Sequence, residues 1–195
     1  MRESTLARDT RETQIKLSVN LDGNGRCEIN TGCGFLNHML ELFAHHGDFD
    51  LNVQCSGDTQ VDDHHTVEDI GIALGQAFSA ALGEKLGINR YGQFLLPMDE
   101  ALVLCAVDLS GRDFLGWNVQ LPAAKVGNFD TELAKEFWLG FVRNCPGSIH
   151  IHQMAGENTH HILEALFKGM GRALKEAVAL DPKHVGEIPS TKGVL

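Results

Sequence analysis

Two stretches of the chain place adjacent histidines ahead of a glutamate: "DDHHTVED", with His64, His65 and Glu68, and "ENTHHILE", with His160, His161 and Glu164. On a helix, residues four apart share a face, whereas the neighbouring residue leaves about 100° round the axis. One ion cannot easily collect all three groups. The spacing therefore predicts two metal ions, with the two imidazoles of each pair sent to different ions. Imidazole and carboxylate without thiolate suit Mn, Fe, Co, Ni or Zn, and an octahedral site shared with water favours Mn²⁺. A lone His-His pair more often caps a helix or packs at an interface; the second copy, with glutamate in register, turns the reading to metal. Asp62-Asp63 and Asn158-Thr159 are read as helix N-caps. His38, on a short helix, and His150, on the strand before the second pair, are weaker ligand candidates.

Periodicity indicates the elements that would hold these residues. "TQIKLSVNLDGNGRCEINTG" sends Ile15, Leu17, Val19 and Leu21 to one side and breaks at Asp22-Gly23-Asn24-Gly25, which predicts a β-hairpin. "FLNHMLELFAHHG" carries Leu36, Met39, Leu40 and Phe43 at helical spacing and ends at Gly47. A strand at "FDLNVQCSG" and a helix over 64–82 follow. The same order then recurs: paired strands at "ALVLCAVDLSG" and "DFLGWNVQLP", a helix over "FDTELAKEFWLGFVRN", a strand at "SIHIHQMAG" and a helix over 160–179. A unit of about 96 residues is too long for a solenoid repeat and fits an internally duplicated domain. The expected fold is α+β, with two similar halves, 1–95 and 96–195. Each half is a small mixed or antiparallel sheet with two helices, the helices packed between the sheets. Gly71, Gly75, Gly169 and Gly171 weaken the two long helices by about 1 kcal/mol each, so close helix contact is expected at them.

Composition narrows the function classes. The 195 residues are 43% hydrophobic and 22% charged, an ordinary globular mixture, and the formal charge of −10 argues against nucleic acid and anionic membranes as partners. No apolar run approaches the roughly 20 residues that span a bilayer, and the expected location is the cytosol. The five cysteines, Cys27, Cys33, Cys55, Cys105 and Cys145, contain no C-x-x-C pair and are expected to be reduced and mostly buried. The zincin, serine-hydrolase, Walker and dinucleotide signatures are all missing.

The stretches "FLNHMLELFAHHG", "DDHHTVEDIGIALGQA", "GINRYG", "PMDEA", "DLSGR", "GENTHH" and "PSTKGVL" occur in order. With them the chain resembles the imidazoleglycerol-phosphate dehydratases of histidine biosynthesis over essentially its whole length. The resemblance implies halves of the ribosomal protein S5 domain 2-like kind, a cubic homo-oligomer of 24 subunits, and two Mn²⁺ ions per active site, completed at a subunit interface. It puts the metal ligands at His38, His64, His65, Glu68, His150, His160, His161 and Glu164, which would leave about two open positions on each octahedral ion. It puts substrate contacts at Glu12, around His46, and at Arg90, Arg112, Ser190, Thr191 and Lys192, with His38, His64 and Glu68 also at the substrate. Arg90, Arg112 and Lys192 would be the local cations that an acidic protein needs for a phosphate. His45, His152 and His184 receive no role.

The reaction implied is loss of water from D-erythro-imidazoleglycerol phosphate to give imidazole acetol phosphate. The proton removed is not beside a carbonyl, so a metal-stabilised imidazolate would have to help expel the hydroxyl. Glu12 and His46 are the expected proton-transfer residues, with Glu164 in reserve to protonate the leaving hydroxyl. The rival readings are a dinuclear hydrolase of phosphate esters and a metal-storage assembly.

Overall fold

The computed structural model describes residues 2–195. The first half runs β1 (Glu3–Asp9), β2 (Thr13–Asn20), β3 (Cys27–Asn30), α1 (Gly34–Gly47), β4 (Asp50–Gly57) and α2 (His64–Leu82). The second runs β5 (Tyr91–Met98), β6 (Ala101–Asp108), β7 (Phe114–Asn118), a small hairpin of β8 (Lys125–Val126) and β9 (Phe129–Asp130), α3 (Leu133–Asn144), β10 (Ser148–Ala155) and α4 (Thr159–Val178). The two main sheets have the orders β1-β2-β4-β3 and β5-β6-β10-β7, the same topology twice. In each, the last strand runs parallel to its neighbour and the other pairs are antiparallel, so the sheets are mixed. The duplication and the α+β class expected from periodicity are both present. β5 joins the second sheet whole, so the change of sheet falls in residues 83–90.

Strand pairing departs from the sequence reading in both halves. β2 and β3 form no hairpin, because the Asp22–Gly25 turn wraps around the start of β4. Asp50 Oδ1 accepts the amides of Asn24 at 2.9 Å and Arg26 at 3.1 Å, and a Cβ on Gly23 would lie 2.3 Å from the Asp50 amide. β4 thereby enters between β2 and β3. β10 likewise separates β6 from β7, with His150 opposite Ala106 on one side and Gly116 on the other. The strands β1 and β5 each form one edge of the two sheets and lie outside the strands expected from periodicity. β1 points Arg8 inward, where its Nη2 reaches the buried Asp69 of α2 at 2.7 Å. β5 carries Pro97, tolerated because an edge strand has a side with no ladder to complete. The helix expected from Phe129 starts only at Leu133, since Phe129–Asp130 pairs back on Lys125–Val126 around Gly127 at φ +60°.

Four helices fill the space between the sheets. Ile15, Leu17, Val19, Leu51 and Val53 close one side, Val103, Cys105, Val107, Ile149 and Ile151 the other, all almost fully buried. The helices touch backbone to backbone where the glycines allow it. A Cβ on Gly71 or Gly75 would sit 2.3 or 2.4 Å from the Phe137 or Phe141 carbonyl of α3, and one on Gly171 would sit 2.5 Å from the Phe43 carbonyl of α1. Gly169 instead faces the second sheet, 3.1 Å from Cys105 Sγ. Cys33, Cys105 and Cys145 are buried, Cys55 is half-buried and Cys27 exposed, and none is disulfide-bonded.

The two outer faces differ. Across the first sheet one row reads Ala7, Lys16, Gln54, Asn30; across the second it reads Leu95, Leu104, His152, Asn118. Phe114 and Met154 add exposed apolar surface to the second. Among the described residues no helix is long and apolar enough to cross a membrane.

Gly71→Ala should lower stability by about 1–3 kcal/mol, the usual cost of forcing atoms into a filled contact. Gly34→Ala, whose Cβ meets nothing within 4 Å, should change it by less than about 0.5 kcal/mol. Urea unfolding midpoints of the two variants measure the difference.

Candidate metal and substrate site

The two histidine pairs open α2 and α4. Asn158 caps α4 by accepting the amides of His160 and His161 at 2.9 and 3.4 Å. At α2 the cap is Asp62, accepting the His64 amide at 2.8 Å. The Asp63 side chain caps nothing, and Thr159 Oγ1 accepts from the Ala123 amide at 3.0 Å instead. Both pairs have the same geometry: ring centroids are 6.2 Å apart with an interplanar angle of 78° for His64–His65, and 6.3 Å with 81° for His160–His161. The first histidine of each turns Nε2 to the glutamate four residues on, at 3.6 Å for His64–Glu68 and 3.3 Å for His160–Glu164.

One group of donors is already convergent. His38 Nε2 reaches across from α1 to Glu164 Oε1 at 2.7 Å, and the ligand atoms of His38, His160 and Glu164 all lie within 4.8 Å of one another. Lys168, one turn along α4, donates to the other Glu164 oxygen at 2.8 Å. Burial pushes the Glu164 carboxyl up, but the hydrogen bonds from Lys168 and His38 outweigh it and hold the group down at about 2. A cleft of about 650 Å³ opens on His38 and His160, walled by the start of α1, residues 59–63 and the β8–β9 hairpin.

The second histidine of each pair has carboxylate partners that the sequence did not reveal. His65 Nδ1 bonds Asp58 Oδ2 at 2.9 Å and its Nε2 lies 3.8 Å from Glu12. His161 Nδ1 bonds Glu100 Oε2 at 2.7 Å and its Nε2 lies 3.8 Å from Asp99. Glu12 and Asp99 occupy corresponding turns, β1–β2 and β5–β6. These hydrogen bonds raise both imidazoles above the ordinary histidine value, and Glu100 falls to about 2 beside His161. Lys168 could have been found from its i+4 spacing to Glu164; Asp58, Asp99 and Glu100 reach the histidines from loops and had no such signal.

The remaining expected residues fall elsewhere in the chain. His64, His65 and Glu68 stay with α2, apart from the His38 group. His150 is exposed on the outer face of the second sheet, its ring stacked on His152 at 6.1 Å and resting over Gly116, where a Cβ would come within 2.5 Å of Nδ1. His46 ends α1 facing α4; burial, then Arg172 and Lys168, lower it below the ordinary histidine value. Glu12 and His46 therefore do not meet within one chain. Arg90, at φ +72°, already has its guanidinium engaged: Nε and Nη2 donate to Asp108 at 2.7 and 3.2 Å, and Nη1 to the Pro189 carbonyl at 3.0 Å. It ties the Ser190–Thr191–Lys192 segment to the body. Arg112 is exposed in the adjoining loop, and a Cβ on its neighbour Gly111 would be 3.0 Å from Leu195.

Fold and site together define a class: duplicated α+β proteins with His-His-x-x-Glu at two helix starts and a histidine-lined cleft between the halves. The family model for imidazoleglycerol-phosphate dehydratase matches residues 31–174. Relatives of that name from Desulforamulus reducens and Ruegeria pomeroyi are 56% and 54% identical, covering all of this chain and 98% and 100% of their own lengths. The crystal structure of the Staphylococcus aureus dehydratase superposes with TM-score 0.84 at 42% identity, over 92% of this chain and 99% of that one. That of the Pyrococcus furiosus protein, in complex with (S)-C348, gives 0.82 at 40%, over 97% and 100%. The chain belongs to the imidazoleglycerol-phosphate dehydratase family.

Lys168→Met tests the charge balance at Glu164. Because its folded value is depressed, Glu164 contributes stability that is present above the reference value of 4.5 and lost as pH falls toward about 2. Without Lys168 the chelator-treated protein should be less stable at pH 7 and should lose less on acidification across that window. Thermal unfolding as a function of pH reads both effects.

Proposed function

We propose that this chain dehydrates imidazoleglycerol phosphate to imidazole acetol phosphate with two Mn²⁺ ions per site, as a large cytoplasmic homo-oligomer of 24 subunits. Membership of a histidine-biosynthesis dehydratase family carries the reaction. The metal reading rests on His38, His160 and Glu164, three nitrogen and oxygen donors from two helices already within 4.8 Å of one another. Such a donor set fits Mn²⁺ and lacks the thiolate that would favour softer ions. An ion held by these residues would supply Lewis-acid polarisation to a nitrogen donor of the substrate.

His64, His65, Glu68, His150 and His161 are the other proposed ligands. They leave the chain in several directions, and His150 does so on the outer face of a sheet. Completion by a second copy answers this dispersion, and the apolar outer face around His150 suits burial against another subunit. Arg112, Ser190, Thr191 and Lys192 receive the phosphate, while Arg90 holds that segment through the Pro189 carbonyl. Glu12 and His46 share the proton transfers. Burial and the neighbouring Arg172 and Lys168 disfavour the protonated form of His46, which enters as an acceptor, and Glu12 lies beside His65.

Incubation with substrate and Mn²⁺ should yield the ketone with phosphate retained; released inorganic phosphate would point to a hydrolase, and no turnover to metal storage. A chelator should abolish turnover and shift the sedimentation coefficient down, with Mn²⁺ restoring both. Full-size, active particles free of metal would remove the metal reading.

Glu12→Gln keeps shape and hydrogen bonding but abolishes basicity. A fall in kcat of about 10² or more with unchanged metal content is expected. Near-normal kcat with a raised KM would make Glu12 a binding residue only.

A further inference from the structure

His65 and His161 are held in the same way by unrelated parts of the chain. Asp58 arrives from the end of β4 and Glu100 from the β5–β6 turn, yet each carboxylate meets Nδ1 of the second histidine, at 2.9 and 2.7 Å. An ionised carboxylate only accepts hydrogen bonds, so Nδ1 must carry the hydrogen. In a neutral imidazole that leaves the lone pair on Nε2. The two first histidines show no such clasp: their partners are Glu68 and Glu164, met through Nε2.

The two carboxylates differ in what else they touch. Asp58 Oδ1 is buried without a hydrogen-bond partner among the described residues, an arrangement that lowers stability. Glu100 has its other oxygen fixed by the amides of Asn158 at 2.7 Å and Glu157 at 3.3 Å, just ahead of α4. It cannot swing away from His161 without releasing the start of the helix.

We propose that Asp58 and Glu100 are positioning residues that set the tautomer and ring direction of His65 and His161, presenting Nε2 of each as a preformed metal-binding atom. This rests on the metal reading above and extends it to residues that touch no ion themselves. Outer carboxylates of this kind are worth roughly 10- to 100-fold in metal affinity.

Two variants test the proposal. Asp58→Leu keeps the bulk and removes the acceptor. In Glu100→Gln the oxygen stays with the Asn158 and Glu157 amides, so the side-chain NH₂ faces His161 Nδ1, forces the hydrogen onto Nε2 and blocks it. The dissociation constant of Mn²⁺ is measured by the free-ion paramagnetic resonance signal, and the melting temperature on the chelator-treated protein. Each variant should weaken Mn²⁺ binding by about 10- to 100-fold. Glu100→Gln should do so with a melting temperature close to that of the parent. A merely structural carboxylate would move the melting temperature and leave the affinity alone; affinities within about two-fold of the parent in both variants overturn the proposal. Should Glu100→Gln fail to fold, Asp58→Leu decides, since the Asp58 side chain caps no helix. A parent protein that binds no Mn²⁺ sinks the metal reading and this proposal together, whereas normal parent binding with unaltered variants sinks this proposal alone.

Discussion

Adjacent residues leave an α-helix about 100° apart, and that angle governs how this chain can use its paired histidines. The rings of each pair stand nearly perpendicular, at 78° and 81°. The first histidine can share a target with the glutamate one turn on; the second must find its company off the helix. Asp58 and Glu100 supply that company from loops, and His38 comes to the first histidine of α4 from another helix. The chemistry is thus distributed over several elements by the geometry of a single turn.

Distribution of this kind demands a stiff frame, and the glycines provide one. α1 meets α4 through the Phe43 carbonyl and Gly171, two turns along α4 from Glu164. Any side chain at 171 would push α1 outward and lengthen the 2.7 Å contact between His38 and Glu164. The same close approach joins α2 to α3 at Gly71 and Gly75. The helical layer is therefore both the common core of the two halves and the ruler that sets the distances at the site.

The parts legible in the sequence were those written in local spacing. Long helices show a 3.6-residue period, and the His-His-x-x-Glu pattern is itself a helical spacing, so α1, α2, α4 and the first-histidine–glutamate pairs could be read directly. Strand partnership is a long-range property: β3 and β7 pair with strands that come only after a whole helix, which no alternation within "CEIN" or "FLGWN" encodes. β1 was hidden by Arg8, whose inward charge is satisfied by Asp69 sixty-one positions away. Arg90 illustrates the same limit. Its resemblance to a phosphate-binding arginine is visible in "GINRYG", but its engagement by Asp108 and Pro189 exists only in three dimensions.

The unlike outer faces of the two sheets have a consequence for inheritance. Both halves descend by the duplication that the shared topology records, yet a lysine stands in the middle of the first outer face, while leucines from β5 and β6 lie side by side on the second. Interior positions of the two copies answer to one packing rule and stay recognisably alike. The outward positions answer to different surroundings, so a substitution that one copy accepts freely is a burden in the other. Kinship between the halves is therefore to be sought along the strands' inward residues and the helix starts, and it fades first on the surfaces turned away from them.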